Sequence, residues 1–160
     1  MGTVRSADGT TITYDRAGSG PPLILVDGAL CSRSFGPTAK LAARLATDFT
    51  VINYDRRGRG ESTDTAPYEI ARELDDLDAL ITEAGGSAYV FGASSGAALA
   101  LDAAARNSGI TKLALYEPPF VVDDSYPPMA EGFLATLQAL IAADRRGDGP
   151  KPTTVAYPWD

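Results

Sequence analysis

Residues 87-SAYVFGASSGAALALDAAAR-106 lead from a β-rich segment, through a serine between two glycines, into a run of small residues. The pentapeptide 92–96 fits the pattern G-x-S-x-G, and the strand before it and helix after it make that pattern specific. In this setting the central Ser94 occupies a sharp turn with positive φ, which costs about 1–3 kcal/mol. Side chains two residues to either side would collide with neighbouring backbone, so glycine fills both places. We therefore predict a nucleophile at Ser94, with Ser95 as second candidate and an ordinary glycine–serine turn as the alternative.

Strand and helix patterns alternate along the rest of the chain. An alternating pattern predicts a half-exposed early strand, and apolar or β-branched runs predict buried strands after it. The predicted strands cover residues 10–18, 23–26, 49–55, 87–92 and 111–119. The predicted helices cover residues 35–46, 66–86, 95–106 and 129–143. This order predicts an α/β fold in three layers, with a mostly parallel sheet covered by helices on both faces.

The helix predicted at 66–86 has one apolar face and several carboxylates elsewhere, and Pro67 fits its first turn. Its apolar face comprises Ile70, Leu74, Leu77 and Ile81, and its carboxylates include Glu69, Glu73, Asp76 and Glu83. No ligand of another type joins these carboxylates. We therefore expect a solvated acidic face rather than a metal or acid–base cluster.

Three informative segments follow predicted strands, where ligands bind in open parallel sheets. They are residues 27–29, the loop 55-DRRGRGES-62 and the serine turn itself. The loop contains three arginines, Arg56, Arg57 and Arg59. They either bind an anionic substrate or form structural ion pairs. We favour ion pairs with Asp55 or Glu61.

Composition restricts the partners and the compartment. The net charge is −7 and no basic run interrupts it, which argues against nucleic acid and anionic membranes as partners. The single cysteine, Cys31, has no internal disulfide partner and is expected to act as a small buried apolar residue rather than a nucleophile. The chain shows neither a signal-peptide pattern nor a membrane-spanning apolar run, so we expect a cytoplasmic protein.

Together the segments 26-VDGALCSR-33, 54-YDRRGRG-60, GASSG and 116-YEPPF-120 resemble the N-terminal half of an α/β-hydrolase. The resemblance covers about residues 8–122, and is strongest to small single-domain bacterial members. It implies that Ser94 is the nucleophile and that the N–H groups of Ala29 and Ser95 bind the oxyanion. It also implies that the loop 55–62 braces the site. Glu117 occupies the place where some relatives, such as haloalkane dehalogenases, carry the acid of the triad, although a structural role is the alternative.

The 160 residues contain no histidine, the usual base for a serine nucleophile. In the family that base follows the eighth strand and the usual acid follows the seventh, and the chain ends before either. We therefore expect an α/β-hydrolase fold truncated before its last two strands, with the core in residues 1–122. Residues 123–160 are expected to form the start of a cap region and a tail.

The preferred functional hypothesis is a serine hydrolase that cleaves an ester, thioester or amide of a small molecule, as part of a longer chain. A catalytically inactive binding or self-assembling module, working as a homodimer or with a complementing C-terminal chain, is the alternative. A third hypothesis is a short enzyme that uses Asp27, Glu117 or a histidine from a partner chain. None of these hypotheses requires a metal or an organic cofactor.

Overall fold

The structure is a computed structural model, and it describes residues 1–123 and 132–145. The chain divides into two compact units, Met1–Phe120 and Val121–Asp160. The start of the helix predicted at 129–143 and residues 146–160 of the predicted tail lie outside the described residues.

The first unit contains a six-stranded sheet in the order β1-β2-β4-β3-β5-β6. Its strands are β1 (Gly2–Arg5), β2 (Thr11–Ala17), β3 (Pro22–Val26), β4 (Thr50–Tyr54), β5 (Ala88–Ala93) and β6 (Ile110–Tyr116). Its helices are α1 (Thr38–Leu45), α2 (Ile70–Glu83) and α3 (Ser95–Arg106). Strands β3 to β6 run parallel, whereas β1 and β2 join through antiparallel pairs, so the predicted mostly parallel sheet is confirmed.

Helices cover both faces of this sheet because its central strands are apolar on both sides. On one face, Ile24, Val26, Ile52 and Val90 pack with apolar side chains of α2 and α3. On the other face, Leu23, Leu25 and Val51 pack with apolar side chains of α1. The alternation of side chains along a strand directs successive residues of β3 to opposite faces.

The structure corrects the prediction for α2. The helix begins at Ile70 rather than near residue 66, so Pro67 lies before its first turn. Leu77 and Ile81 are buried as predicted, but Ile70 is exposed because it is the first helical residue. The expected solvated acidic face is also wrong in part, since Glu73 and Asp76 are each only 1% exposed.

The strand predicted at 111–119 is not buried. Strand β6 pairs with β5 alone among the described strands, and most of its residues are exposed. Tyr116, for example, is 58% exposed. A sheet edge lacks a neighbouring strand on one side, which explains why an apolar sequence is exposed there.

In the second unit, α4 (Phe133–Ala142) contains the apolar residues expected from the sequence pattern. Its assignment to a cap stays a prediction. In residues 1–123 and 132–145, no helix combines the length and the apolar character needed to cross a membrane.

Candidate active site

Ser94 lies at the turn between β5 and α3, in the strained backbone that the sequence motif predicts. Its φ is 52° and its ψ is −126°, a region that residues with a side chain rarely adopt. The turn is anchored because the Ser94 N–H donates to the Tyr116 carbonyl at 2.9 Å and the Ser94 carbonyl accepts from the Ala97 N–H at 2.8 Å. Since Ser94 is also exposed, its hydroxyl is available to a reactant at the end of the sheet.

The two glycines of the motif permit close backbone packing around this turn. A Cβ atom on Gly92 would lie 2.6 Å from the Ala97 Cα, and one on Gly96 would lie 2.3 Å from the Val26 carbonyl oxygen. Both distances are far below ordinary contact. Glycine is therefore required at each position for α3 to start directly above the ends of β3 and β5.

The segment after β3 runs beside Ser94, which brings the two predicted oxyanion donors to the same end of the sheet. A Cβ atom on Gly28 would be 3.6 Å from the Ser94 Cβ. Ala29 follows Gly28, and Ser95 begins α3. No hydrogen bond of the described residues uses the N–H of Ala29 or Ser95 as donor. Neither group therefore has an acceptor among these residues, and their role as oxyanion donors stays a prediction.

Asp27 is a structural carboxylate of this segment. It is 3% exposed and accepts hydrogen bonds from the Gly28 N–H at 2.8 Å and the Thr38 hydroxyl at 2.5 Å. Burial, followed by the nearby Asp27 charge, raises the pKa of the half-buried Cys31 thiol, which disfavours a thiolate nucleophile.

The loop 55–62 is stabilised by its own backbone and by Arg33. The Ser62 hydroxyl donates to the Asp55 carbonyl at 2.6 Å, and the Glu61 N–H donates to Asp55 Oδ2 at 2.9 Å. Arg33 Nε donates to Asp55 Oδ2 at 2.9 Å, and the same guanidinium pairs with Glu61. Gly60, at φ 53°, packs against Asp55, where a Cβ would lie 2.2 Å from the carboxylate. These contacts support the bracing role inferred from the resemblance.

The arginines of the loop bind other partners than those predicted. Asp55 and Glu61 pair with Arg33, which belongs to the segment after β3. Arg56 and Arg57 instead form bidentate pairs with the buried carboxylates of α2, Glu73 and Asp76 respectively. The sequence indicated correctly that these arginines form ion pairs. It indicated the wrong partners, because the actual ones lie on α2, which only the fold brings near the loop.

These buried pairs shift the pKa values of their members. Burial raises the pKa of Glu73, but hydrogen bonds and charge from Arg56 outweigh it, so the net pKa lies below the ordinary value. For Asp76, burial outweighs the neighbouring Arg57 and the net pKa is raised. The pKa of Arg57 is raised mainly by its hydrogen bond with Asp76, so this guanidinium remains protonated.

Arg59 contacts the predicted oxyanion segment directly. Its Nε donates to the Ala29 carbonyl at 2.6 Å, and its Nη1 donates to the Arg57 carbonyl at 3.2 Å. Ala29, Cys31, Arg59 and Tyr68 line an open pocket of about 660 Å³. The sequence did not single out Tyr68, whose hydroxyl donates to Glu73 Oε1 at 2.9 Å. No local pattern distinguishes this residue from other exposed aromatics.

Glu117 directly follows Tyr116, which is the register partner of Ala93. It therefore lies at the end of β6 beside the serine turn. Its φ is 48°, an uncommon value for a residue other than glycine. Backbone strain of this kind concentrates at functional sites, but the role of Glu117 as the acid stays a prediction.

Among residues 1–123 and 132–145, no three potential metal ligands cluster.

Comparisons with known proteins agree with this fold. Residues 17–160 match the model of the alpha/beta hydrolase family. An alpha/beta hydrolase from Sphaerobacter thermophilus DSM 20745 is 57% identical, with a TM-score of 0.87 over 92% of this chain and 57% of its own. The esterase RhEst1 from Rhodococcus sp. ECU1013 is 31% identical, with a TM-score of 0.63 over 71% of this chain and 44% of its own.

A curated relative, the uncharacterized hydrolase YraK from Bacillus subtilis, is 36% identical over 62% of this chain and 37% of its own length. The chain thus spans well under two thirds of each of these relatives. The family match covers most of the chain, including β3 to α3 and the serine turn. The chain belongs to the alpha/beta hydrolase family.

Proposed function

We propose that Ser94 is the nucleophile of a serine hydrolase that cleaves an ester, thioester or amide of a small molecule. The observation that carries this proposal is the strained, exposed turn at Ser94, which lies between two close-packed glycines and beside two N–H groups that find no acceptor in the part of the chain that the structure describes. Strain of about 1–3 kcal/mol persists only where the surrounding structure imposes it. The presence of an esterase among the structural relatives supports an ester as substrate.

The proposed chemistry is acyl transfer in two steps. The Ser94 hydroxyl loses its proton to a base and attacks the substrate carbonyl, and the resulting oxyanion binds the N–H groups of Ala29 and Ser95. The leaving group departs with a proton from the protonated base, which leaves an acyl-enzyme. Water then attacks the acyl group, and the acid product leaves as Ser94 regains its proton.

A histidine base for Ser94 would have to come from outside the 160 residues, because they contain no histidine. A C-terminal continuation of the chain is the simplest source, and a second chain is the other. Glu117 is the candidate to orient that histidine. Loss of one triad member leaves only about 10³–10⁴-fold catalysis over water, so the 160 residues alone should be poor catalysts.

The test begins with an intact mass of the natural protein. A mass well above 16.7 kDa supports a continuation that carries the base. The natural protein should then react stoichiometrically with a fluorophosphonate probe, with the adduct mapped to Ser94. Ser94→Ala should lose both labelling and hydrolysis of a p-nitrophenyl ester, whereas the exposed control Ser108→Ala should keep both. Equal hydrolysis by Ser94→Ala and the parent would exclude this nucleophile.

One observation favours the alternative of a self-assembling module. Strand β6 offers an exposed outer edge within the described residues, with Leu115 and Tyr116 exposed. Such an edge can add a strand from a second copy or from a complementing chain. If the protein assembles in this way and is not an enzyme, the mass in light scattering should rise with concentration while fluorophosphonate labelling stays absent. A labelled, strictly monomeric protein would exclude it.

A further inference from the structure

Arg56 joins the two backbone segments that flank Ser94. Its Nη1 donates to the Asp27 carbonyl at 3.2 Å and to the Ser95 hydroxyl at 3.2 Å. Asp27 lies two residues before Ala29, and Ser95 itself carries the second predicted oxyanion donor. One guanidinium nitrogen therefore contacts both sides of the proposed oxyanion hole.

The other end of the same guanidinium is held by α2. Nε donates to Glu73 Oε2 at 2.7 Å, and Nη2 donates to Glu73 Oε1 at 2.7 Å. The Glu73 carboxylate also accepts from the Tyr68 hydroxyl at 2.9 Å, so its orientation is restricted. Planar, bidentate pairing fixes a guanidinium in direction as well as in place. The nitrogen that faces the site is thus held at a defined position.

The burial of this pair favours a positioning role over a stabilising one. Arg56 is 6% exposed and Glu73 is 1% exposed. Burial lowers the pKa of Arg56, but the hydrogen bonds and charge of Glu73 outweigh it, and the guanidinium remains charged. Desolvation offsets much of the attraction in buried ion pairs, so apolar residues often stabilise equally well. A buried ion pair fixes the position and direction of its guanidinium, which an apolar pair in the same place would not do.

We infer that Arg56 is a positioning residue that sets the spacing of the Ala29 and Ser95 N–H groups for the oxyanion. The inference rests on the proposed function of Ser94. Arg57 provides the comparison, because it forms an equally buried bidentate pair with Asp76. Its other side-chain hydrogen bonds are with Asp8, Ser6 and the Arg72 carbonyl, and none is with residues 27–29 or 94–96.

The test uses the natural full-length protein and an ester substrate. In Arg56→Met we expect kcat to fall about 10- to 100-fold with KM within about threefold, because a misplaced donor acts on the transition state. The fluorophosphonate inactivation rate should fall in parallel. Arg57 also belongs to the loop that braces the site and lines the same pocket, so Arg57→Met should lose comparable thermal stability and some kcat, but the loss of kcat should be several-fold smaller than in Arg56→Met.

If Arg56→Met does not fold, Arg56→Lys tests the positioning role of Arg56 instead. Lysine keeps the charge beside Glu73, but its single nitrogen cannot retain the bidentate pair and both site contacts. We therefore expect a folded protein with a kcat reduced by about tenfold or more. A kcat within twofold of the parent in folded Arg56→Lys, or an equal loss in Arg57→Met, would overturn the positioning role. If the proposed function itself is wrong, the parent protein will not be labelled at Ser94. That result differs from each of the results that would overturn the positioning role.

Discussion

Gly96→Ala tests the close contact between the first turn of α3 and the end of β3. The added Cβ would lie 2.3 Å from the Val26 carbonyl oxygen and 2.5 Å from the Asp27 carbonyl oxygen. Both obstacles are backbone atoms at the end of the central strand β3, so neither can rotate away as a side chain would. Relief requires a shift of about 1 Å to reach ordinary contact.

The expected magnitude is a difference between two opposing effects. Overpacking a core costs about 1–3 kcal/mol, and the backbone obstacles place this site at the upper end. Alanine in place of glycine within a helix contributes about 1 kcal/mol of stabilisation. The clash dominates, and we expect a net loss of about 2 kcal/mol in the free energy of unfolding. For a chain of this size the loss lowers Tm by about 4–8 °C.

The assay is urea denaturation followed by far-UV circular dichroism, with Gly28→Ala as control. A Cβ on Gly28 would meet the Ser94 Cβ at 3.6 Å, which is an ordinary contact, and neither glycine has a positive φ. The two variants therefore differ in steric conflict rather than in backbone strain. If Gly96→Ala proved as stable as Gly28→Ala, the close packing of α3 on β3 would be refuted.

The remaining predictions concern buried polar groups and a surface pair. The Tyr54 hydroxyl is buried without a hydrogen-bond partner in the described structure, so Tyr54→Phe should match or exceed the parent in urea denaturation; a loss above about 1 kcal/mol would mean that it has a partner. The pKa of Glu73 is lowered on folding, so its stabilisation is present above the unfolded-state pKa of about 4.3 and is lost as the pH falls through the folded value. Between pH 5 and 3 the parent should therefore lose more stability than Glu73→Gln, and parallel curves from chemical denaturation would contradict this. Arg106 pairs with Asp75 and Asp78 at the surface, so Arg106→Ala should change the free energy of unfolding by less than about 1 kcal/mol, and a larger loss would contradict a screened pair.

The serine turn could be predicted because its requirements are local. A strand, a strained residue and a helix follow one another within residues 88–106, and the glycines at 92 and 96 reflect contacts inside that unit and with one neighbouring strand. The alternation of buried strands with helices likewise predicted the layers of the sheet. Strand β1 was missed because Gly2–Arg5 is too short for a periodic pattern.

The ion pairs could not be predicted from the sequence. Glu73 and Asp76 have the spacing of an ordinary exposed acidic face, and nothing local distinguishes them from Glu69 and Glu83. Their burial depends on two arginines that another loop brings against α2. A charged side chain is buried only when an oppositely charged partner is buried beside it, and the tertiary structure decides which residue that partner is.

The sequence by itself determined the turn at Ser94, the strand and helix order and the absence of a histidine base within these 160 residues, because each depends on residue identity and short-range geometry. Only the tertiary structure decided that Arg56 connects Glu73, Asp27 and Ser95. These residues lie far apart in the chain, and the parallel sheet brings them together because it places the ends of β3, β4 and β5 at one edge.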